Sequence, residues 1–125
     1  MSKVLMVGAG GFIGAILRYS VSLYMAKIGQ FDIPLGTLLV NALGGFLIGA
    51  IMEFSLSTEL ISPELRLFLT TGILGGFTTF STFSYETVAL LSDGAYMLAF
   101  LNVVLNLFLS VFGVVLGRLV VYIVI

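Results

Sequence analysis

Four stretches of this chain, residues 4–26, 33–54, 65–91 and 95–124, are apolar over 20 residues or more. A helix needs about 20 mostly apolar residues to cross the hydrocarbon core of a bilayer. Only short polar punctuation separates the stretches: Gln30, Asp32 and Pro34 in the first gap, the cluster from Ser55 to Glu64 in the second, and Ser92, Asp93 and Gly94 in the third. Pro63 suits the first position of a helix, where a missing N–H costs nothing. The composition agrees: 60% of residues are hydrophobic and 9% charged, with a mean hydropathy of +1.25. A soluble domain carries roughly 25% charged residues, so a chain this poor in charge predicts lipid as its solvent. The first stretch is too long for a signal-peptide core and resembles the later ones, so it reads as a retained span. The expected fold is an all-α membrane protein, a single domain over residues 1–125 with four transmembrane helices.

Residues 3–19, KVLMVGAGGFIGAILRY, suggest something different. Gly8, Gly11 and Gly14 follow a short apolar run, and Asp32 comes later, as in a dinucleotide-binding turn. That fold needs several strands and crossover helices. Here Gly14 leads into AILRYSVSLYMA, a short gap and another long apolar run. The glycines therefore read as a packing face. Every span has glycines four apart: Gly10–Gly14, Gly45–Gly49, Gly72–Gly76 and Gly113–Gly117. Such pairs share a helix face and let backbones approach closely. Glycine faces on all four spans predict packing that continues into a second copy.

The chain has no cysteine and no histidine, which removes thiolate chemistry and the commonest general base. No plausible nucleophile–base pair remains, so no enzyme is expected. The five basic residues do not cluster and the net charge is -1, which leaves no footprint for nucleic acid. With four spans both termini share a side. Lys3 and Arg66 lie there, with Arg118 a few residues inside, while Lys27 and Arg18 lie toward the other side. Three against two is a weak orientation bias. Insertion both ways, and an antiparallel dimer, are compatible with it.

Polar residues inside spans carry the functional expectations, because unpaired polar groups are costly in hydrocarbon. Thr37 and Asn41 share a face of the second span. Asn102, Asn106 and Ser110 form a stripe on the fourth, extended by Gly113 and Gly117. Such stripes line a water path or supply hydrogen bonds between helices. In the third span, TTGILGGFTTFSTFSYE (residues 70–86) has ten Gly, Ser or Thr among seventeen residues. A break is expected where Gly75-Gly76 meets Thr78-Thr79. It would free backbone carbonyls, hard oxygen ligands suited to a small cation; a mere packing kink is the alternative. Phe80 and Phe83 share a face, and a ring edge carries partial positive charge. Edges beside Asn and Ser donors would hold a partly dehydrated anion without binding it too tightly to release. Thr79, Thr82 and Glu86 form a further stripe, with Glu86 as a coupling acid or a hydrogen-bond acceptor. Arg18 either attracts anions at a vestibule or caps a helix end.

At GGFTTFSTF a family resemblance becomes specific. With GGFIGAILRY in the first span, GTLLVNALGGFLIG in the second and Tyr85-Glu86 after the third motif, the chain resembles the Fluc (CrcB) family of bacterial fluoride channels over nearly its whole length. The fourth span matches less closely. The resemblance implies an antiparallel, dual-topology homodimer in the bacterial inner membrane, with two fluoride pores at the subunit interface. It implies that Phe80 and Phe83 present ring edges to the pores, and that Asn41 lines the path and holds their geometry. Thr37, Asn106 and Ser110 would belong to one polar track; Ser81, Thr82 and Glu86 would form another. Backbone carbonyls of Gly75 and Thr78 would bind one structural sodium ion on the dimer axis, with no organic cofactor. Asn102 falls where some members have an aromatic hydroxyl, and Arg18 matches a family arginine near a vestibule. The implied function is passive export of cytoplasmic fluoride that entered as neutral acid. The competing expectation is a small, dual-topology, proton-coupled multidrug or cation exporter, which would want a buried acid in the first span; none is there. A purely structural membrane subunit would leave the asparagine stripe and FTTFSTF without a role.

Overall fold

A computed structural model describes residues 2–125, whose regular elements are all helices joined by short irregular links, with no strand among the described residues. Helix α1 spans Lys3–Ile28, and Ser2 caps it by accepting from the Leu5 N–H at 3.3 Å. Helix α2 spans Leu35–Ser57 and begins after Pro34. At 1.5 Å per residue, the 26 residues of α1 reach about 39 Å. Residues 63–92 are divided. Helix α3 is Pro63–Leu67, capped by Ser62 with Pro63 in its first turn. A π-helical segment, Phe68–Leu74, follows, then the single turn α4, Gly75–Phe77. Thr78 and Thr79 are extended, with φ/ψ of −84°/160° and −153°/121°. Helix α5 covers Phe80–Ser92. Gly94, at φ +75°, turns the chain into α6, Tyr96–Val124. Helices α1, α2 and α6 are each long and apolar enough to cross a membrane.

Two parallel helix pairs build the molecule. A Cβ added to Gly14 would strike the Ile73 carbonyl oxygen, and one on Gly10 would lie 2.7 Å from the Phe68 oxygen. So α1 runs alongside the π segment and α4 in the same direction, backbone on backbone. In the second pair, a Cβ on Gly45 would strike the Ser110 oxygen, and one on Gly49 the Val114 oxygen. The facing glycines interlock: Gly113 meets Ala42 and Gly117 meets Phe46. The glycine motifs therefore pair α1 with residues 68–77 and α2 with α6. The expectation that these faces carry packing into a second copy does not hold for them. Each glycine face is matched within the chain, and any oligomer must use other surfaces.

The buried apolar core is small: Val40, Leu74 and Phe77, with Val21, Ile48 and Ile51 packed against it. Large apolar side chains instead point outward along whole helices, as with Phe12 (69% exposed) on α1 and Phe108 (66%) on α6. This inverts the usual distribution of a soluble domain and suits lipid contact. The one ion pair among the described residues, Arg118 Nε to Glu53 Oε2 at 2.9 Å, joins α6 to α2 near the end that holds both termini. There Arg66 also donates to Ser55 Oγ at 3.4 Å.

Candidate functional site

The extended residues between α4 and α5 leave peptide groups without helical partners, which apolar surroundings penalise. Asn41 on α2 meets that need. Its Oδ1 accepts from the Thr79 N–H at 2.9 Å, and its Nδ2 donates to the Thr79 carbonyl at 3.1 Å. The carboxamide thus mimics a neighbouring peptide group and clamps the segment on both edges. Thr79 in turn caps α5: its Oγ1 accepts from the Thr82 N–H at 3.1 Å and bonds the Thr82 hydroxyl at 3.0 Å.

The clamp continues into α6. Asn41 Nδ2 also donates to Asn106 Oδ1 at 3.0 Å. Asn106 Nδ2 donates to the Asn102 carbonyl at 2.9 Å and to its Oδ1 at 3.1 Å. Asn102 Nδ2 donates to Thr87 Oγ1 on α5 at 3.0 Å, and Thr87 Oγ1 donates to the Phe83 carbonyl at 2.8 Å. Asn102 and Asn106 are buried. One turn before Asn41, Thr37 Oγ1 donates to Glu86 Oε1 at 2.8 Å, while Glu86 Oε2 is buried without a partner among the described residues.

Beside this network runs an open groove of about 660 Å³ between α2, residues 70–83 and α6. Its walls are mostly apolar. Asn41, Asn106 and Ser110 supply polar groups, Gly75, Thr78 and Thr79 the interrupted backbone, and Phe80 and Phe83 the aromatic wall. The two rings lie 5.5 Å apart, tilted by 56°, in the edge-to-face range. Phe80 is 78% exposed. A groove with ring edges, amide donors and a hydroxyl, and no fixed cation on its walls, can accept a small polar or anionic species by many weak contacts.

Residues 5–118 match the family described as CrcB-like protein, Camphor Resistance (CrcB). The chain belongs to the CrcB family. It is 54% identical over 114 residues to a fluoride-specific ion channel FluC of Clostridium perfringens, covering 91% of this chain and 89% of that one. It is 50% identical over 114 residues to the FluC of Clostridium novyi, with the same coverage. With the FluC of Shewanella woodyi it shares 46% over 122 residues, 98% of each chain. Family and apolar helices together make this CrcB chain a multi-pass membrane protein.

Within this CrcB fold the residues expected at the site divide into groups. Asn41, Phe80, Phe83, Asn106, Ser110, Gly75 and Thr78 line the groove together. Thr37 and Glu86 form a separate bonded pair outside its lining, and Asn102 lies behind it. Thr82 bonds to Thr79 but is exposed, as is Ser81; neither lines the groove. Arg18 is half-buried on α1, away from the groove, where its carbonyl accepts from Ser22 Oγ at 3.1 Å. Thr87 was not expected at the site. A threonine in a helix usually bonds back to its own preceding turn, and Thr87 does so while also accepting from Asn102.

Proposed function

We propose that this chain is a passive, fluoride-selective channel that exports cytoplasmic fluoride across the bacterial inner membrane. The single observation that carries the reading is the groove itself, where exposed Phe80 stands beside Phe83, Asn41, Asn106 and Ser110 at an interrupted helix. The curated relatives, named fluoride-specific ion channels, support the choice of ion. In this reading α3, the π segment, α4 and α5 together make one interrupted crossing, the third of four. A second, antiparallel copy covers the groove and turns it into a conduit, so that a dual-topology homodimer has two pores. Phe80 and Phe83 offer ring edges to the ion, and the Asn and Ser groups replace its water. Thr37, Ser81, Thr82 and Glu86 extend the polar route beyond the groove, and Arg18 lies toward a vestibule. An inside-negative potential drives the anion outward by roughly 2.3 kcal/mol per 100 mV, so no proton coupling is needed.

The backbone fits a structural sodium ion held by Gly75 and Thr78. In an unbroken helix the Gly75 carbonyl would receive the Thr79 N–H, but that N–H goes to Asn41 Oδ1. The Thr78 carbonyl would receive the Thr82 N–H, which goes to Thr79 Oγ1 instead. Both carbonyls are thereby released from helical pairing, and carbonyl oxygens are suitable ligands for a hard cation. Bound there, sodium would supply positive charge that ties the break to its surroundings.

The test is flux from liposomes containing the purified protein. Fluoride should leave when a potential is imposed without a proton gradient, and chloride should not follow. Equal chloride flux, or strict dependence on a pH difference, would reject the reading.

A further inference from the structure

Asn102 has no exposed surface and does not line the groove, yet it bridges two helices that do. It receives both Asn106 bonds on one side and reaches Thr87 on the other. Thr87 lies one turn after Phe83 on α5 and donates to the Phe83 carbonyl at 2.8 Å. At the other end of the same path, Asn41 grips Thr79, the residue before Phe80. The stretch carrying Phe80 and Phe83 is therefore held from both sides. One hold comes from α2 at Thr79 and the other from α6 at Thr87. The links between them run Asn41–Asn106–Asn102 and are all hydrogen bonds between side chains or from side chain to backbone.

We propose that Thr87 and Asn102 are positioning residues for the Phe80–Phe83 pair. They fix where α5 sits against α6, and so where the two rings stand in the groove, without touching the ion. The inference rests on the channel reading for its consequence on flux, but its geometric content is independent of that reading. Thr87 is the sensitive member, because its hydroxyl is used twice: it accepts from Asn102 and donates to Phe83. Serine preserves both uses. Valine keeps the shape and removes both, leaving a buried amide donor on Asn102 unpaired, a change that shifts equilibria by roughly tenfold or more. If Thr87 only bonded its own turn, loss of its hydroxyl would not disturb Phe83 by way of α6.

The experiment uses the full-length protein with 4-fluorophenylalanine placed at position 83, read by fluorine NMR, alongside fluoride flux from liposomes. Thr87→Val should displace or split the position-83 resonance and lower flux about tenfold. Thr87→Ser should restore both. In the double variant Thr87→Val/Asn102→Ala, flux should fall no further than in the worse single variant, since both break one path. An unmoved resonance in Thr87→Val overturns the proposal, whatever the flux does. So do losses that multiply in the double variant. If Thr87→Val does not assemble, Thr87→Ala carries the same test. Should the unsubstituted protein fail to conduct fluoride, the channel reading fails, while the position-83 resonance in Asn102→Ala, which removes the α6 link and keeps the Thr87–Phe83 bond, still decides the positioning role: a shift supports it and an unmoved resonance overturns it.

Discussion

Gly10 and Gly14 on α1, and Asn102 and Asn106 on α6, each follow a step of four, so each pair lies on one face of its helix. The glycine face is filled by the backbone of residues 68–77, leaving no room even for a methyl group. The asparagine face adds directional bonds to α2 and α5, and continues along α6 into Gly113 and Gly117, which pack on the α2 backbone. The link to α2 lies on the same tightly packed α2–α6 seam as Gly45 and Gly49, the link to α5 joins helices with no glycine contact between them, and a groove lies beside both. Periodicity alone does not separate a closed seam from an open one; side-chain length and hydrogen-bonding capacity do. In this molecule the glycine seam of α1 serves as scaffold, and the α2–α6 seam, where Gly44 and Gly45 stand beside Asn41, Asn106 and Ser110, borders the groove.

Substitutions on the two faces can break that contrast. The largest effect is expected from Gly14→Ala, whose new Cβ would meet the Ile73 carbonyl and the Phe77 amide nitrogen, both backbone atoms that cannot turn aside. It should cost about 3 kcal/mol, the upper end for overpacking, measured by unfolding in mixed micelles. Wild-type stability would show that α1 is not seated this closely. Next comes Asn41→Ala, which strips partners from both edges of Thr79. Each lost partner costs about 1–3 kcal/mol, so fluoride flux should fall on the order of a hundredfold while helix content by circular dichroism persists. Unchanged flux would remove the clamp from the conduction path. Phe80→Ile should reduce flux by about tenfold but shift unfolding by less than about 1 kcal/mol, since an exposed ring contributes little to the chain's own fold. A large stability loss would mean that Phe80 is part of the scaffold after all. Gly8→Ala is the smallest. A Cβ there meets nothing within 4 Å, so stability should stay level or rise by up to about 1 kcal/mol from helix propensity.

Hydropathy made the long helices legible. The apolar runs 4–26, 33–54 and 95–124 coincide with α1, α2 and α6 to within three residues, because in lipid the length of an apolar run is itself a structural instruction. Pairing was not legible. A glycine step announces a close neighbour without naming it, and the neighbour proved to be inside the chain each time. Asn41 stood out as a polar residue in an apolar run, but its partner lies 38 positions away, and part of that partner is main chain, which carries no side-chain signature. Thr87 gave no signal, for hydroxyls on helices ordinarily serve their own turn. Ser81 and Thr82 show the converse: residue type suggested a polar lining, and their place on α5 points them away from the groove.

The clamp at Thr79 also bears on how the molecule is made. Chains emerge from the ribosome N-terminus first, so Asn41 is already in place when the interrupted segment arrives. The two unpaired edges of Thr79 can be met on arrival by a helix synthesised earlier, and they need not wait in lipid. Asn106 comes later, with α6, and only then is the third member of the clamp added. The order of the residues along the chain is thus also a schedule of assembly, in which each awkward peptide group follows the side chain that receives it.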